Sequence, residues 1–146
     1  MTLVEALTDP ARHDAIVAAC VRLVEDEVGS KRGLTGATIR TAFAAFQRIR
    51  PGIVRAAVVR LLPDMAAAID PHWQRAGADP DGYFARQQRE VAQDLLAVSD
   101  RLAARSSNAV LVRLYKSLRG SAVEHVAAAV PRLPAVWRAH GGGASI

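Results

Sequence analysis

The sequence predicts an all-α fold, a single-domain bundle of six to eight helices, several of them short and bounded by proline. Three observations predict it. Apolar residues recur at steps of three and four along most of the chain, the spacing that lines one face of a helix. No segment alternates apolar and polar positions within a β-branched run, as a half-buried strand would. Pro, Gly, Asp and Asn gather in small groups between the periodic stretches, where helices start and stop. A chain of 146 residues builds one core of ordinary size, so one domain over residues 1–140 and a flexible tail over 141–146 are expected.

Thr2-x-x-Glu5 has the form of a capping box, in which hydroxyl and carboxylate each satisfy an orphan backbone donor, and it opens a short first helix. Asp9 caps and Pro10 takes the first position of a second helix reaching about Val28, since the missing N–H of proline costs nothing there. Val17, Val21, Val24 and Val28, with Ile16, Cys20 and Leu23 beside them, form its core-facing stripe. Gly29 to Gly33 breaks the chain, and Thr35 or Gly36 opens a third helix that ends near Arg50, before Pro51-Gly52. Its apolar side is Ile39, Ala42, Phe43, Phe46 and Ile49; Arg40, Gln47 and Arg48 lie opposite. Ile53 to Leu62 is nearly all apolar and predicts a short central helix with Arg55 and Arg60 on a narrow wet edge. Pro63-Asp64 and Asp70-Pro71 punctuate the stretch beyond Leu62.

Ala76 to Gly82 combines turn formers with helix-start signals and reads as a loop. A long helix comes next, from Tyr83 to Ala104, in which Phe84, Val91, Leu95, Val98 and Leu102 keep a seven-residue rhythm interrupted at Gln88. Ser106-Ser107-Asn108 ends it and caps a helix from Ala109 to Leu118. Ser121-x-x-Glu124 is a second capping box, opening a helix that Pro131 terminates, and Leu133 to Ala139 adds a final turn or two.

Nineteen basic against fourteen acidic side chains give a formal charge of +5, which favours an anionic partner: nucleic acid, an acidic protein or an anionic membrane surface. Seventeen of those nineteen are Arg, a bias that GC-rich codon usage also produces without any function. The single Cys20 excludes an intrachain disulfide and suits a reducing compartment. The N-terminus lacks a signal-peptide pattern, so a cytoplasmic location is expected. Charges interrupt every window before it reaches the ~18 apolar residues of a transmembrane segment.

Val28 to Pro63 carries Lys31, Arg32, Arg40, Arg48, Arg50, Arg55 and Arg60 and no Asp or Glu. Lys31, Arg32, Arg40, Arg48, Arg55 and Arg60 are therefore the candidate contacts for an anionic partner, through a salt-sensitive complex if that partner is nucleic acid. A helix-turn-helix would place Gly33 at the turn and Thr35 to Phe43 in the groove, but the small residues on that helix leave few side chains able to read base edges. Phenylalanines entering a membrane surface beside arginines is a further use of the same segment. Phe43 and Phe46 also have work in a core that has three Phe in all. Arg101 to Arg138 is a second basic run, opposed only by Glu124.

His72-Trp73, after Asp70-Pro71, is the candidate ligand pocket, an imidazole beside an indole; the alternative is a histidine near a helix start and a tryptophan plugging the core. The four histidines stand far apart and none has a metal-ligand spacing, so no metal, no cofactor and no catalytic residue is expected, and the chain is read as a binding protein, not an enzyme. A third use is a bundle enclosing a small apolar ligand, with a cavity beside Phe43, Phe46 and Leu61. A homodimer would form through the long helix, whose Gln88 and Ala92 side can pack on its copy.

A run of motifs carries a resemblance: Arg22-Leu-Val-x-x-Glu27-Val28, Lys31-x-Gly33-Leu-x-Gly36, Pro51-Gly52, Leu61-Leu-Pro-Asp64, Asp70-Pro71, Leu95-Leu-Ala-Val98 and His125-Val-x-x-Ala129-Val-Pro-Arg-Leu133. From about Ala15 to Leu133 the chain resembles an uncharacterised family of short all-helical bacterial proteins, a domain of unknown function found mostly in GC-rich genomes. The resemblance implies a self-contained helical domain and assigns no activity, cofactor or site residue.

Overall fold

The computed structural model describes residues 3–140, the side chains of Leu3, Thr35 and His140 excepted. Its elements are α1 (Leu3–Leu7), α2 (His13–Ser30), α3 (Gly33–Gln47), α4 (Ile53–Ala76), α5 (Pro80–Arg86), α6 (Gln88–Ala104), α7 (Ala109–Ala129), a 3-10 turn (Val130–Arg132) and α8 (Leu133–His140). No strand occurs among the described residues, and the all-α prediction holds. The capping box through Thr2 and the expected flexible tail at 141–146 lie outside the described residues.

Local chemistry sets most boundaries where the sequence places them. Asn108 caps α7, its side-chain oxygen accepting from the Leu111 N–H at 3.0 Å. Asp79 caps α5 by accepting from the Gly82 N–H at 3.1 Å, with Pro80 in the first turn, so this helix opens inside the expected loop and before Tyr83. Four expected helix boundaries need correction. Asp9 does not start α2: it accepts from the Ala11 N–H at 3.0 Å in a turn, and the helix begins at His13.

The predicted short helix Ile53 to Leu62 runs on through Pro63 and Pro71 to Ala76. Each interior proline costs about 3 kcal/mol and strands one carbonyl. Here those carbonyls belong to the exposed residues Val59 and Ala67, while burial of Leu62, Ala66, Ile69, His72 and Ala76 rewards continuing the helix. Ser121 does not cap a new helix, because its hydroxyl donates back to the Leu118 carbonyl at 3.3 Å inside a continuous α7. The long helix from Tyr83 is divided at Gln87 into α5 and α6, next to the Gln88 position where the seven-residue rhythm falters.

One hydrophobic cluster joins α1, α2, α4, α5, α6, α7, the 3-10 turn and α8, including Leu7, Ile16, Ala66, Phe84, Val91, Ala127, Val130 and Trp137. Its hub is aromatic: Trp137 meets Trp73 edge-on at 5.0 Å and Phe84 at 5.4 Å, both within the range of favourable ring pairs. Ala92, expected on a dimer surface, is 0 % exposed inside this cluster, so that side of α6 packs on its own chain.

α3 stands apart. Among its residues with described side chains only Gly36 is fully buried, while Ile39, Ala42, Phe43 and Phe46 are half-buried. Its N-terminal turn is fastened to the end of α2 by two contacts. The Arg40 guanidinium donates to the Lys31 carbonyl, and Gly36 lies flat on the Lys31 backbone, where a Cβ would stand 2.6 Å from its carbonyl carbon. We expect Gly36→Ala to force α3 away from α2 and to cost about 1–3 kcal/mol, read from urea unfolding. A variant as stable as the natural protein would show that this contact does not fix α3.

Candidate functional site

The loose seat of α3 leaves a half-open groove. The ends of four helices border it: the C-termini of α3 and α6 and the N-termini of α4 and α7. Its cavity has a volume of about 510 Å³, within the size range of small-molecule sites. Phe46, Ile49, Ile53, Leu61, Leu102 and Leu111 wall it, and Ala56, Ala57 and Ala103 leave the space because their side chains stop at Cβ. A narrower slot of about 200 Å³ adjoins it, lined by Val28, Ile39, Ala42, Phe43, Leu114 and Leu118; Phe46, Leu111 and Tyr115 line both spaces. In place of the expected internal cavity beside Phe43, Phe46 and Leu61 there are two half-open spaces, the wide one lined by Phe46 and Leu61 and the slot by Phe46 and Phe43.

Charge is one-sided here. Arg50, Arg60 and Arg105 line the wide cavity, no Asp or Glu lines either space, and none of the three arginines has an acidic partner among the described residues. Two helix N-termini and two C-termini meet at this end, so their dipoles oppose one another and the arginines set the sign of the potential. All three arginines are exposed residues that line the cavity.

A polar brace holds one wall. Arg119 grips Asp100 through two N–H donors at 2.8 and 3.1 Å, Tyr115 donates its hydroxyl to the same carboxylate, and Ser99 Oγ lies 2.6 Å from the Tyr115 oxygen. The Arg119 hydrogen bond, then that of Tyr115, holds the Asp100 carboxyl below the usual carboxylate range. Burial, then the bond to Asp100, pushes the Tyr115 phenol up. Tyr115 therefore presents a fixed ring to the groove, with its hydroxyl already committed.

The structure divides the six candidate anion contacts. Lys31 pairs with Glu27 at 3.3 Å, Arg55 with Asp14 at 3.0 Å, and Arg40 is engaged with the Lys31 carbonyl. Arg32, Arg48 and Arg60 are exposed without an acidic partner among the described residues, and Arg60 alone of the six lines the groove. Arg50 belongs to the same basic stretch, while Arg105, Ser99 and Tyr115 come from α6, α7 and the turn between them, which the sequence did not connect to it. The second basic run and the Ser106-Ser107-Asn108 turn were the available signals.

His72 and Trp73 line neither space. His72 is 1 % exposed and both its ring nitrogens are engaged, Nε2 with Asp94 at 2.6 Å and Nδ1 with the Tyr83 hydroxyl at 2.8 Å. A carboxylate only accepts, so Nε2 donates to Asp94, while Nδ1 shares a hydrogen bond with the Tyr83 hydroxyl, which is itself hydrogen-bonded to Arg75. The imidazole is a three-helix clasp between α4, α5 and α6. Trp73 faces the aromatic hub. Among the described residues no three His, Cys, Asp or Glu side chains converge where a metal ion could sit, and no helix is long and apolar enough to cross a membrane.

The family model described as "Family of unknown function (DUF6918)" matches residues 3–141. The chain belongs to this family. No curated protein and no solved structure matches it, so the chemistry of this DUF6918 member is read from its own residues. Burial also pushes up the Cys20 thiol of the DUF6918 chain, in keeping with a filler role on α2.

Stability should depend on pH through two groups. His125 Nε2 is buried without a hydrogen-bond partner among the described residues, and burial, then Lys31, lowers the imidazole pKa against a smaller pull from Glu124. The unfolded chain then takes up the proton first, so stability begins to fall as pH drops below ~6.5 and levels off beneath the folded value. Asp100, also lowered, adds a second loss as pH falls through ~4 towards its folded value. Melting temperatures across this range should show both limbs, with His125→Leu removing the upper and Asp100→Asn the lower. A flat profile in the natural protein would contradict both assignments.

Proposed function

We propose that this DUF6918 protein acts by binding, without catalysis, and that its ligand is a small, largely apolar molecule held in the groove between α3, α4, α6 and α7. The single observation that carries this reading is the groove itself: about 510 Å³ of space walled by apolar side chains and edged by arginines without an acidic partner among the described residues. Phe46, Ile49 and Leu61 keep apolar surface in contact with water here, and covering it releases about 25 cal/mol for each Å². The anionic partner favoured by composition finds its place in the same reading, as negative charge on the ligand. Lys31, Arg55 and Arg40 are tied to Glu27, Asp14 and a carbonyl, while Arg50, Arg60 and Arg105 at the groove have no acidic partner among the described residues.

Titration with the neutral fluorophore N-phenyl-1-naphthylamine tests this. The expected result is a saturable, blue-shifted signal with one site per chain, weakened tenfold or more (~1.4 kcal/mol) in Ala57→Phe, which fills the cavity. Bound probe should also raise the melting temperature of the natural protein, because a ligand that binds only the folded state stabilises it. Absence of saturable binding, or equal binding by a correctly folded Ala57→Phe variant, would overturn the proposal.

A further inference from the structure

The groove is graded along its length, and the gradient says more about the ligand than its volume does. Arg50, Arg60 and Arg105, with Ser106, Ser107 and Asn108, line the wide cavity and not the slot. Beyond the shared residues Phe46, Leu111 and Tyr115 the slot offers Val28, Ile39, Ala42, Phe43, Leu114 and Leu118, and its one polar lining residue, Tyr115, has its hydroxyl committed to Asp100 and Ser99. We infer that the ligand is a single-chain amphiphile with an anionic head: a free long-chain carboxylate lies with its carboxylate at the arginines and its hydrocarbon tail threaded between Phe46 and Tyr115 into the slot. This rests on the groove as the binding site and adds the ligand's class and direction.

The reverse orientation is disfavoured by the slot, whose lining has no free side-chain donor for a carboxylate and no arginine. A compact apolar ligand would fill the wide cavity and leave the slot unused. An extended chain covers both. The head, by contrast, gains two things at the wide end: guanidinium groups suited to paired hydrogen bonds with a carboxylate, and exposure that keeps it partly hydrated. Burial of successive methylenes then sets affinity and the arginines set head preference.

The test displaces N-phenyl-1-naphthylamine with the saturated carboxylates from octanoate to hexadecanoate, each below its micelle concentration, and with the alcohols of matching length. Affinity should rise about fourfold per methylene until the slot is full and then level off. Each carboxylate should bind about threefold to thirtyfold better than its alcohol, and the triple variant Arg50→Gln/Arg60→Gln/Arg105→Gln, altered only at exposed positions, should bring that ratio to about one. Ala42→Trp, which narrows the slot, should move the plateau to a shorter chain without weakening the shortest ligands.

Displacement without any dependence on chain length, equal affinity for acid and alcohol, or probe binding that no carboxylate displaces would each overturn this inference and leave the groove reading standing. Failure of the probe itself to bind would overturn both. Uptake onto phosphatidylglycerol vesicles with no affinity for free carboxylates would overturn it in favour of a surface contact.

Discussion

Phe84→Ala is expected to lower the unfolding free energy by about 3–5 kcal/mol, the largest single effect in the molecule, measured from urea unfolding curves. Phe84 is 0 % exposed and touches both tryptophans, with ring centroids 6.1 Å from Trp73 and 5.4 Å from Trp137. Its removal leaves a cavity at the point where α4, α5 and α8 meet, and the rigid indoles on either side cannot collapse into it. The variant also separates stability from function. Along α4 the hub at Trp73 lies ~24 Å from Ala57 in the groove, at ~1.5 Å of rise per residue. Phe84→Ala should therefore bind the apolar probe with unchanged affinity well below its own melting temperature. A loss smaller than about 1 kcal/mol would mean that the aromatic hub does not hold the fold.

His72→Leu is expected to cost about 2–4 kcal/mol, again without changing groove affinity. The leucine fills much of the imidazole's volume but leaves Tyr83 and Asp94 without their shared partner, and Tyr83 is only half-exposed. Because Asp94 reaches water, its own loss is modest, and most of the cost should fall on the α4 to α5 contact. A double-mutant cycle with Asp94→Asn divides the two halves of the clasp. A variant of natural stability that loses ligand binding would place His72 in a recognition site and contradict its role as a clasp.

Much of this architecture was legible in the chain. Steps of three and four gave the apolar faces of α2, α3 and α6, and Asn108 announced the cap that opens α7. Where local rules misled, a tertiary term outweighed them. Pro63 and Pro71 stop helices in isolation, but the buried run from Leu62 to Ala76 makes one long α4 more favourable than two short pieces. Ser121 has the form of a cap, yet its hydroxyl finds a carbonyl behind it. Ala92 looked like surface because an alanine-rich helix offers little contrast between its faces.

The site was half visible for a related reason. Phe43, Phe46, Leu61 and Arg60 lie in the basic stretch that stood out at once, and they form one side of the groove. Arg105, Ala103, Leu111 and Tyr115 form the other, and periodicity states which face of a helix is apolar without saying which helix it meets. Nor does it distinguish an apolar face that is covered from one that is left half-open. The alanines at 56, 57 and 103 are what open the space, and in this alanine-rich chain they carry no individual mark.

The central claim is that the groove between α3, α4, α6 and α7 is where this protein binds. Two-dimensional NMR of isotope-labelled protein titrated with dodecanoate tests it at residue level. Binding there predicts shifts confined to Ile39, Phe46, Ile53, Ala57, Ala103, Leu111 and Tyr115 and their neighbours, growing together to one saturation point. Shifts gathered around His72 and Trp73, or spread over the exposed arginines with the groove residues unmoved, would contradict it.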